Sequence, residues 1–343
     1  MNNLDVLIVS SGHHHEDGRL IRHKNSLERS GLSAEIKTIR FSNRLMRFLA
    51  GPFLALRIIK EHNPKSVILP DPELQLALPI LLRKKLPVIS DVHENYEMVQ
   101  FDRSWAKTWM IPLINFLTKV LSFVRTRFSD IILTVDKRIC PEAHYVITNC
   151  PSPEDLPNPE QILYPQTLVY VGDIRESRGL GMMLNLVNDI SELHLKLIGP
   201  SEVPLLEKIL VDKGLSDRVT WYGRTPYEQS WEIARECLAG LSLLSDTPAF
   251  RNAQPTKIWE YWTVGIPVLA TELPGQKGMI SESGGGVTGT YETLTETIRC
   301  WLDSPEDAYA LGAKGHDYIL KTANERDRQL SNVVRETITA FKS

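Results

Sequence analysis

At 343 residues, 42% of them hydrophobic and 24% charged, the chain has room for two ordinary domains that each bury a core, which excludes fibrous and disordered classes. A net charge of −3, a pI near 6.3 and the absence of any nucleic-acid-binding module argue against a nucleic-acid partner. Four cysteines (Cys140, Cys150, Cys237, Cys300) lack metal-type spacing and disulfide density, so a reducing compartment is expected. The net charge conceals an asymmetry: residues 1–150 carry 21 Lys+Arg against 15 Asp+Glu, and the remainder 18 against 27. A basic half joined to an acidic half suggests that the first half meets an anionic surface or ligand. The N-terminus enters a strand directly, without a basic leader or cleavage signal, which points to the cytoplasm.

The first strand, Val6–Ser10, leads into Ser11-Gly12-His13-His14-His15-Glu16-Asp17-Gly18-Arg19. Three adjacent histidines diverge and make a poor metal set. The stretch reads as a first strand-to-helix loop, in which Gly12 permits close approach of a ligand and Asp17 caps the helix. Further strands are expected at Ala34–Ile39, Ser66–Leu69, Val88–Asp91, Asp130–Val135 and Tyr145–Thr148, with helical patterns at Leu20–Arg29, Leu45–Lys60 and Leu74–Lys84. Apolar strands alternating with helices predict a parallel sheet covered on both faces.

Just past the fourth strand, Asp91-Val92-His93-Glu94 places a histidine between carboxylates. His93 can hydrogen-bond or polarise a hydroxyl while Asp91 or Glu94 fixes its tautomer; a structural role accounts for a lone histidine equally well. The basic excess gathers in two places. Arg40, Arg44 and Arg47 recur beside Phe41, Leu45 and Phe48, and Trp105, Lys107 and Trp109 precede Phe116, Lys119, Phe123, Arg125 and Arg127. Pro112, Asn115 and Lys119 interrupt the apolar run too often for a membrane span. Aromatic and basic residues on one amphipathic helix suit a bilayer surface, although a sheet-covering helix with solvated charges gives the same pattern.

Residues 150–165 hold five prolines and read as a domain crossing. Alternation then resumes at Leu168–Val171, Leu193–Ile198, Val219–Tyr222, Leu238–Leu244 and Pro267–Ala270, and the chain ends in helical stretches Glu306–Lys321 and Asn324–Lys342. Two doubly wound α/β domains facing a cleft follow from this order. In the second, Val171-Gly172-Asp173-Ile174-Arg175-Glu176-Ser177-Arg178-Gly179 is a strand, a glycine-bounded turn with two arginines and a helix start, a pattern suited to phosphate but also common in ordinary turns. Pro255-Thr256-Lys257-Ile258-Trp259-Glu260-Tyr261 opens a helix that stops at Gly265, with Pro267 beyond. Its first turn and Lys257 form a natural anion site, and Glu260, one turn on, is placed to accept hydroxyl hydrogen bonds. An amphipathic core helix with a surface Lys and Glu is the plainer reading of the same residues.

This helix resembles the donor-binding helix of family-4 glycosyltransferases of the GT-B fold, and the likeness extends through Gly172…Arg178-Gly179, Asp91-Val92-His93-Glu94 and Asp17-Gly18-Arg19. The resemblance implies an acceptor-side Rossmann-like domain over 1–150, a linker over 151–165, a nucleotide-sugar-binding domain over 166–322, and a C-terminal helix, 323–343, returning to the first domain. It implies a hexosyltransferase moving a hexosyl unit from a nucleotide-sugar to a glycan acceptor, lipid-linked or oligosaccharide, with retention and without a metal, in surface polysaccharide synthesis at the inner face of the cell membrane. By carry-over, Glu260 grips the ribose, Arg178 and Lys257 face the pyrophosphate, and His93 touches the transferred sugar near the reacting centre. Gly12, Gly172 and Thr256 line the donor, and Arg44, Arg47, Trp105, Lys107 and Trp109 form the membrane face. Two departures stand out. Asp173 replaces a usual arginine, for which Arg175 can substitute, and Asn252 stands where the family has its first glutamate, leaving that role to Asn252, Gln254 or loop amides. A GT-B-like nucleotide-sugar epimerase and a degenerate sugar-nucleotide-binding subunit are the rival readings.

Overall fold

The computed structural model describes residues 4–11, 17–41, 43–83, 85–92, 111–160 and 162–341. The chain divides into two compact units, Met1–Asn149 with Asn324–Ser343, and Cys150–Ala323.

The first unit is built on β1 (Val6–Ser10), β2 (Ala34–Thr38), β3 (Ser66–Leu69), β4 (Val88–Val92), β5 (Ile131–Thr134) and β6 (Tyr145–Val146), all parallel, in the order β2-β1-β3-β4-β5-β6. Successive strand residues face opposite sides. Val6 and Ile8 accordingly pack with Leu20 and Leu27 of α1 (Gly18–Arg29), while Leu7 and Val9 pack with Ala55 and Ile59 of α2 (Arg44–His62) and Leu78 and Leu81 of α3 (Leu78–Arg83). A fourth helix, α4 (Ile111–Phe128), joins α3 on that second face, and a 3-10 turn spans Pro72–Ala77.

The second unit carries β7 (Tyr164–Val171), β8 (His194–Ile198), β9 (Val219–Trp221), β10 (Cys237–Ser242), β11 (Val268–Thr271) and β12 (Gly286–Gly289), again all parallel, in the order β12-β11-β10-β7-β8-β9. Its helices are α5 (Leu180–Asp189), α6 (Leu206–Asp212), α7 (Tyr227–Arg235), α8 (Thr256–Thr263), α9 (Pro274–Ser283) and α10 (Tyr291–Asp303). Two parallel six-stranded sheets, each wound on both faces, are the expected α/β class.

Three elements differ from the sequence reading. Strand β7 starts at Tyr164, inside the proline-rich stretch, and Cys150 and Leu156 of that stretch are buried with Trp231 and Trp259. Strand β12 was not expected, because its glycines carry no strand propensity. They are there for space: a Cβ on Gly286 would lie 2.2 Å from the Val268 carbonyl oxygen, and on Gly285, just before the strand, one would lie 2.4 Å from the Trp262 indole nitrogen. The two C-terminal helical stretches are one helix, α11 (Pro305–Ala340), whose Leu330, Val333, Val334 and Ile338 are buried in the core of the first unit.

Candidate functional site

In a doubly wound sheet the ligand edge is at the carboxyl ends of the strands where the order reverses. In the second unit that point lies between β7 and β10. The chain leaves β7 through Gly172 (φ +138°), makes a 3-10 turn over Glu176–Arg178 and enters α5 through Gly179 (φ +89°). A Cβ on Gly179 would come within 2.1 Å of the Leu243 carbonyl oxygen, so only glycine lets this turn lie against the end of β10.

Lys257, in the first turn of α8, reaches the same place. Its Nζ lies 3.6 Å from the centre of the Tyr170 ring, and a Cβ on Gly172 would be 3.2 Å from that Nζ and 3.7 Å from an Arg178 guanidinium nitrogen. The Lys257 ammonium is buried and makes no hydrogen bond, and Arg178 Nε is likewise buried and unbonded. Burial, reinforced by the Arg178 charge, pushes the Lys257 pKa well below its ordinary value. Two basic side chains with buried, unbonded nitrogens, beside a helix N-terminus and a glycine turn, make a pocket suited to a phosphate or diphosphate.

The carboxylates around this pocket are already engaged. Arg175 ion-pairs with Glu202 at 2.6 Å and with Asp173 at 3.2 Å, while Asp173 is 3.9 Å from Arg178. Arg175 thus ties the loop after β7 to the loop after β8, which also share backbone hydrogen bonds from Ile174 to Pro200 and from Glu202 to Ile174. Glu260, one turn beyond Lys257 and 7% exposed, accepts a 2.6 Å hydrogen bond from the Tyr227 hydroxyl. Gln254 is half-buried ahead of α8, Thr256 is half-buried at its first position, and Asn252 is exposed.

In the first unit the strand order reverses between β1 and β3. There the Ser10 hydroxyl and the Ser11 N–H donate to Asp71 at 2.7 and 2.6 Å, and the Ser11 hydroxyl donates to Glu73 at 2.7 Å. Glu73 is fully buried, and burial followed by the Asp71 charge raises its pKa. Arg47 ion-pairs with it at 2.7 Å. This corrects the reading of Arg47 as a membrane-facing cation: its guanidinium is turned inward to a buried carboxylate. Asp91 takes Arg19 in a two-pronged pair at 2.7 and 2.5 Å and lies 3.3 Å from His23, so it is turned to α1. Burial alone would raise the Asp91 carboxyl, but Arg19 and His23 hold it well below the usual range. Asp17 caps α1, accepting from the Arg19 and Leu20 N–H groups. Gly12, His93, Trp105, Lys107 and Trp109 lie outside the described residues. Arg44 opens α2.

Residues 154–318 match the family described as glycosyl transferases group 1. The second unit is a group 1 glycosyltransferase domain. Over the whole chain the protein is similar in fold to GT-B enzymes of known structure. HepE from Anabaena, solved with UDP and glucose, superposes with a TM-score of 0.68 at 12% identity, over 98% of this chain and 100% of that one. Sucrose-phosphate synthase from Thermosynechococcus elongatus gives 0.71 at 12% identity, over 98% and 100%. The lipopolysaccharide outer core galactosyltransferase WaaB gives 0.62 at 16% identity, over 99% and 100%. No curated protein matches the chain in sequence.

Several residues of the candidate site were not singled out in the sequence. Tyr170 could have been found, since strand alternation puts it on the face of the residue that begins the glycine turn. Tyr227 is 33 positions before Glu260, and no spacing rule connects them. Asp71 and Glu73 sit just past β3, ahead of the helical pattern expected from Leu74, and no motif marked them.

Proposed function

We propose that the protein transfers a hexosyl unit from a nucleotide-sugar to a glycan acceptor, lipid-linked, with retention of configuration, in the synthesis of a surface polysaccharide. The observation that carries this reading is the buried, unbonded Lys257 ammonium beside Arg178, Gly172 and the first turn of α8. These groups stand where a departing nucleoside diphosphate gathers negative charge, and fixed positive charge there favours the transition state over the bound donor. Glu260 accepts the ribose hydroxyls, and Asn252 and Gln254 with their loop amides take the transferred sugar in place of the family's first glutamate. The leaving phosphate takes the acceptor proton, so no carboxylate pair acts as nucleophile and acid in the glycosidase manner.

A lipid-linked acceptor calls for a membrane, and the first unit has a suitable face. Leu45, Leu49 and Phe53 recur every four residues along α2 at 67, 59 and 69% exposure. Phe116 and Phe123 stand out from α4 at 63 and 67%. Both helices pack on the turn Pro72–Ala77. Lys60, Lys119 and Arg127 are exposed along them, and Glu61 is the lone acid of the two helices. No described helix is long and apolar enough to cross a membrane. Exposed aromatic and aliphatic stripes with basic flanks favour shallow docking at the inner face of the membrane, driven by apolar burial and by attraction to anionic lipid.

The test is transfer itself. Purified protein incubated with isotopically labelled UDP-, GDP-, ADP- and dTDP-hexoses should release nucleoside diphosphate only when a lipid-linked glycan is added, and the product should keep the donor's anomeric configuration by NMR. Epimerised donor formed without acceptor, or binding without turnover across an acceptor panel, would replace this reading with one of its rivals.

A further inference from the structure

We infer that Tyr227 is a positioning residue for the donor ribose: its hydroxyl, 2.6 Å from Glu260, sets the carboxylate that meets the ribose diol. This inference rests on the donor-site reading and adds to it a residue from a different helix.

Tyr227 opens α7, whereas Glu260 lies in α8. A glutamate side chain has three rotatable bonds, so a carboxylate that must meet two hydroxyls at once gains from being held. The phenol that holds it is itself braced. Its ring stands edge-to-face on Trp231, with centroids 6.2 Å apart. Trp231 is buried and stands edge-to-face on Tyr261 at 5.3 Å. The Tyr261 hydroxyl accepts the Val171 N–H at 2.9 Å, one residue before the Gly172 turn. One chain of aromatic contacts therefore runs from the phosphate turn to the carboxylate. A carboxylate offers about four lone-pair sites, enough for the phenol and for two ribose hydroxyls. Tyr227 is 47% exposed and Glu260 7%, so the phenol forms the accessible wall of the place where the carboxylate receives its ligand.

The experiment measures, by calorimetry on the full chain, the binding of UDP, GDP and ADP and of their 2′,3′-dideoxy counterparts. It compares wild type, Tyr227→Phe, Glu260→Gln and the double variant. For the nucleotide that binds best, wild type should prefer the ribo form over the dideoxy form by about tenfold or more, as expected for hydrogen bonds to a charged acceptor. Tyr227→Phe should lose roughly 3–10-fold on the ribo form and almost nothing on the dideoxy form. The double variant should bind no worse than Glu260→Gln, because both changes remove one interaction. An unaltered ribo preference in Tyr227→Phe, equal losses on both ligand forms, or additive losses in the double variant would overturn the positioning role while leaving Glu260 in place. If wild type shows no ribo preference, or Glu260→Gln binds as wild type does, the donor-site reading fails along with it.

Discussion

The fold holds the pKa of both Lys257 and Asp91 well below the ordinary value, so stability rises with pH through the range of each. The Lys257 pKa is lowered in the folded protein by burial and then by Arg178. The unfolded chain therefore binds the proton more tightly, and ligand-free stability should rise with pH up to the ordinary lysine range near 10.4. Lys257→Met should flatten that slope and leave the ligand-free melting temperature equal or higher at neutral pH; a lower melting temperature with the slope intact would mean that the ammonium is a structural group. Asp91 is held below the ordinary carboxyl range by Arg19 and His23. Its contribution is present above that range and is lost as pH falls through the depressed value. Asp91→Asn leaves Arg19 buried without a counter-charge, at a cost of about 3–5 kcal/mol, and should remove the acid-side loss of stability; denaturant titrations at pH 7 and pH 3 check both points. What the sequence could show at this scale was local. Lys257 and Glu260 are legible because they are one helical turn apart on a helix with clear start and stop signals. The Arg19–Asp91 pair joins two motifs 72 residues apart, and only the folded sheet shows that each motif's acid and base serve one another.

Among the elements, α2 and α4 carry the clearest consequence. Their outward stripes were expected from aromatic and basic spacing, but the charges are divided differently from the sequence reading. Arg47 serves Glu73 and Arg125 serves Glu142, both inward, so the cations left at the surface are fewer and the apolar residues more prominent. Attachment to anionic vesicles should accordingly weaken as salt rises but not vanish, since screening acts over ~10 Å at 0.1 M salt and leaves apolar burial untouched. Leu49→Glu with Phe116→Glu should abolish flotation with vesicles and leave nucleotide affinity unchanged. Flotation that persists in this variant would assign the stripes to another role. Reversal of Arg47 is a poor probe of the membrane, because it would set a second carboxylate against buried Glu73 and unsettle the first unit instead. The glycine-rich β12 shows why one strand escaped notice. Its residues are chosen for the space Val268 and Trp262 leave, and that constraint is absent from local propensity.

At the scale of the whole molecule, the alternation of apolar strands with helices was enough to give two parallel sheets, because strands buried on both faces read as continuous apolar runs. The strand order was not legible, since it depends on which side each crossover turns, and the order is what puts Ser10 beside Asp71 and Gly172 beside the end of β10. Helix α11 serves the first unit from the far end of the chain: residues 324–340 complete the first unit's core although they follow the second unit in the sequence. Leu330→Ala should lower the stability of the first unit by about 2–5 kcal/mol, and the transition that nucleotide protects should stay where it is. A single transition shifted as a whole in scanning calorimetry would show that the units unfold together. The central claim, that a nucleoside diphosphate is held at Lys257 and Arg178, is met most directly by calorimetric titration of UDP, GDP, ADP and dTDP into wild type and Lys257→Met. At least one diphosphate should bind wild type, and should bind Lys257→Met roughly 10–100-fold more weakly. Equal affinity for the two proteins, or no binding of any of the four, would contradict it.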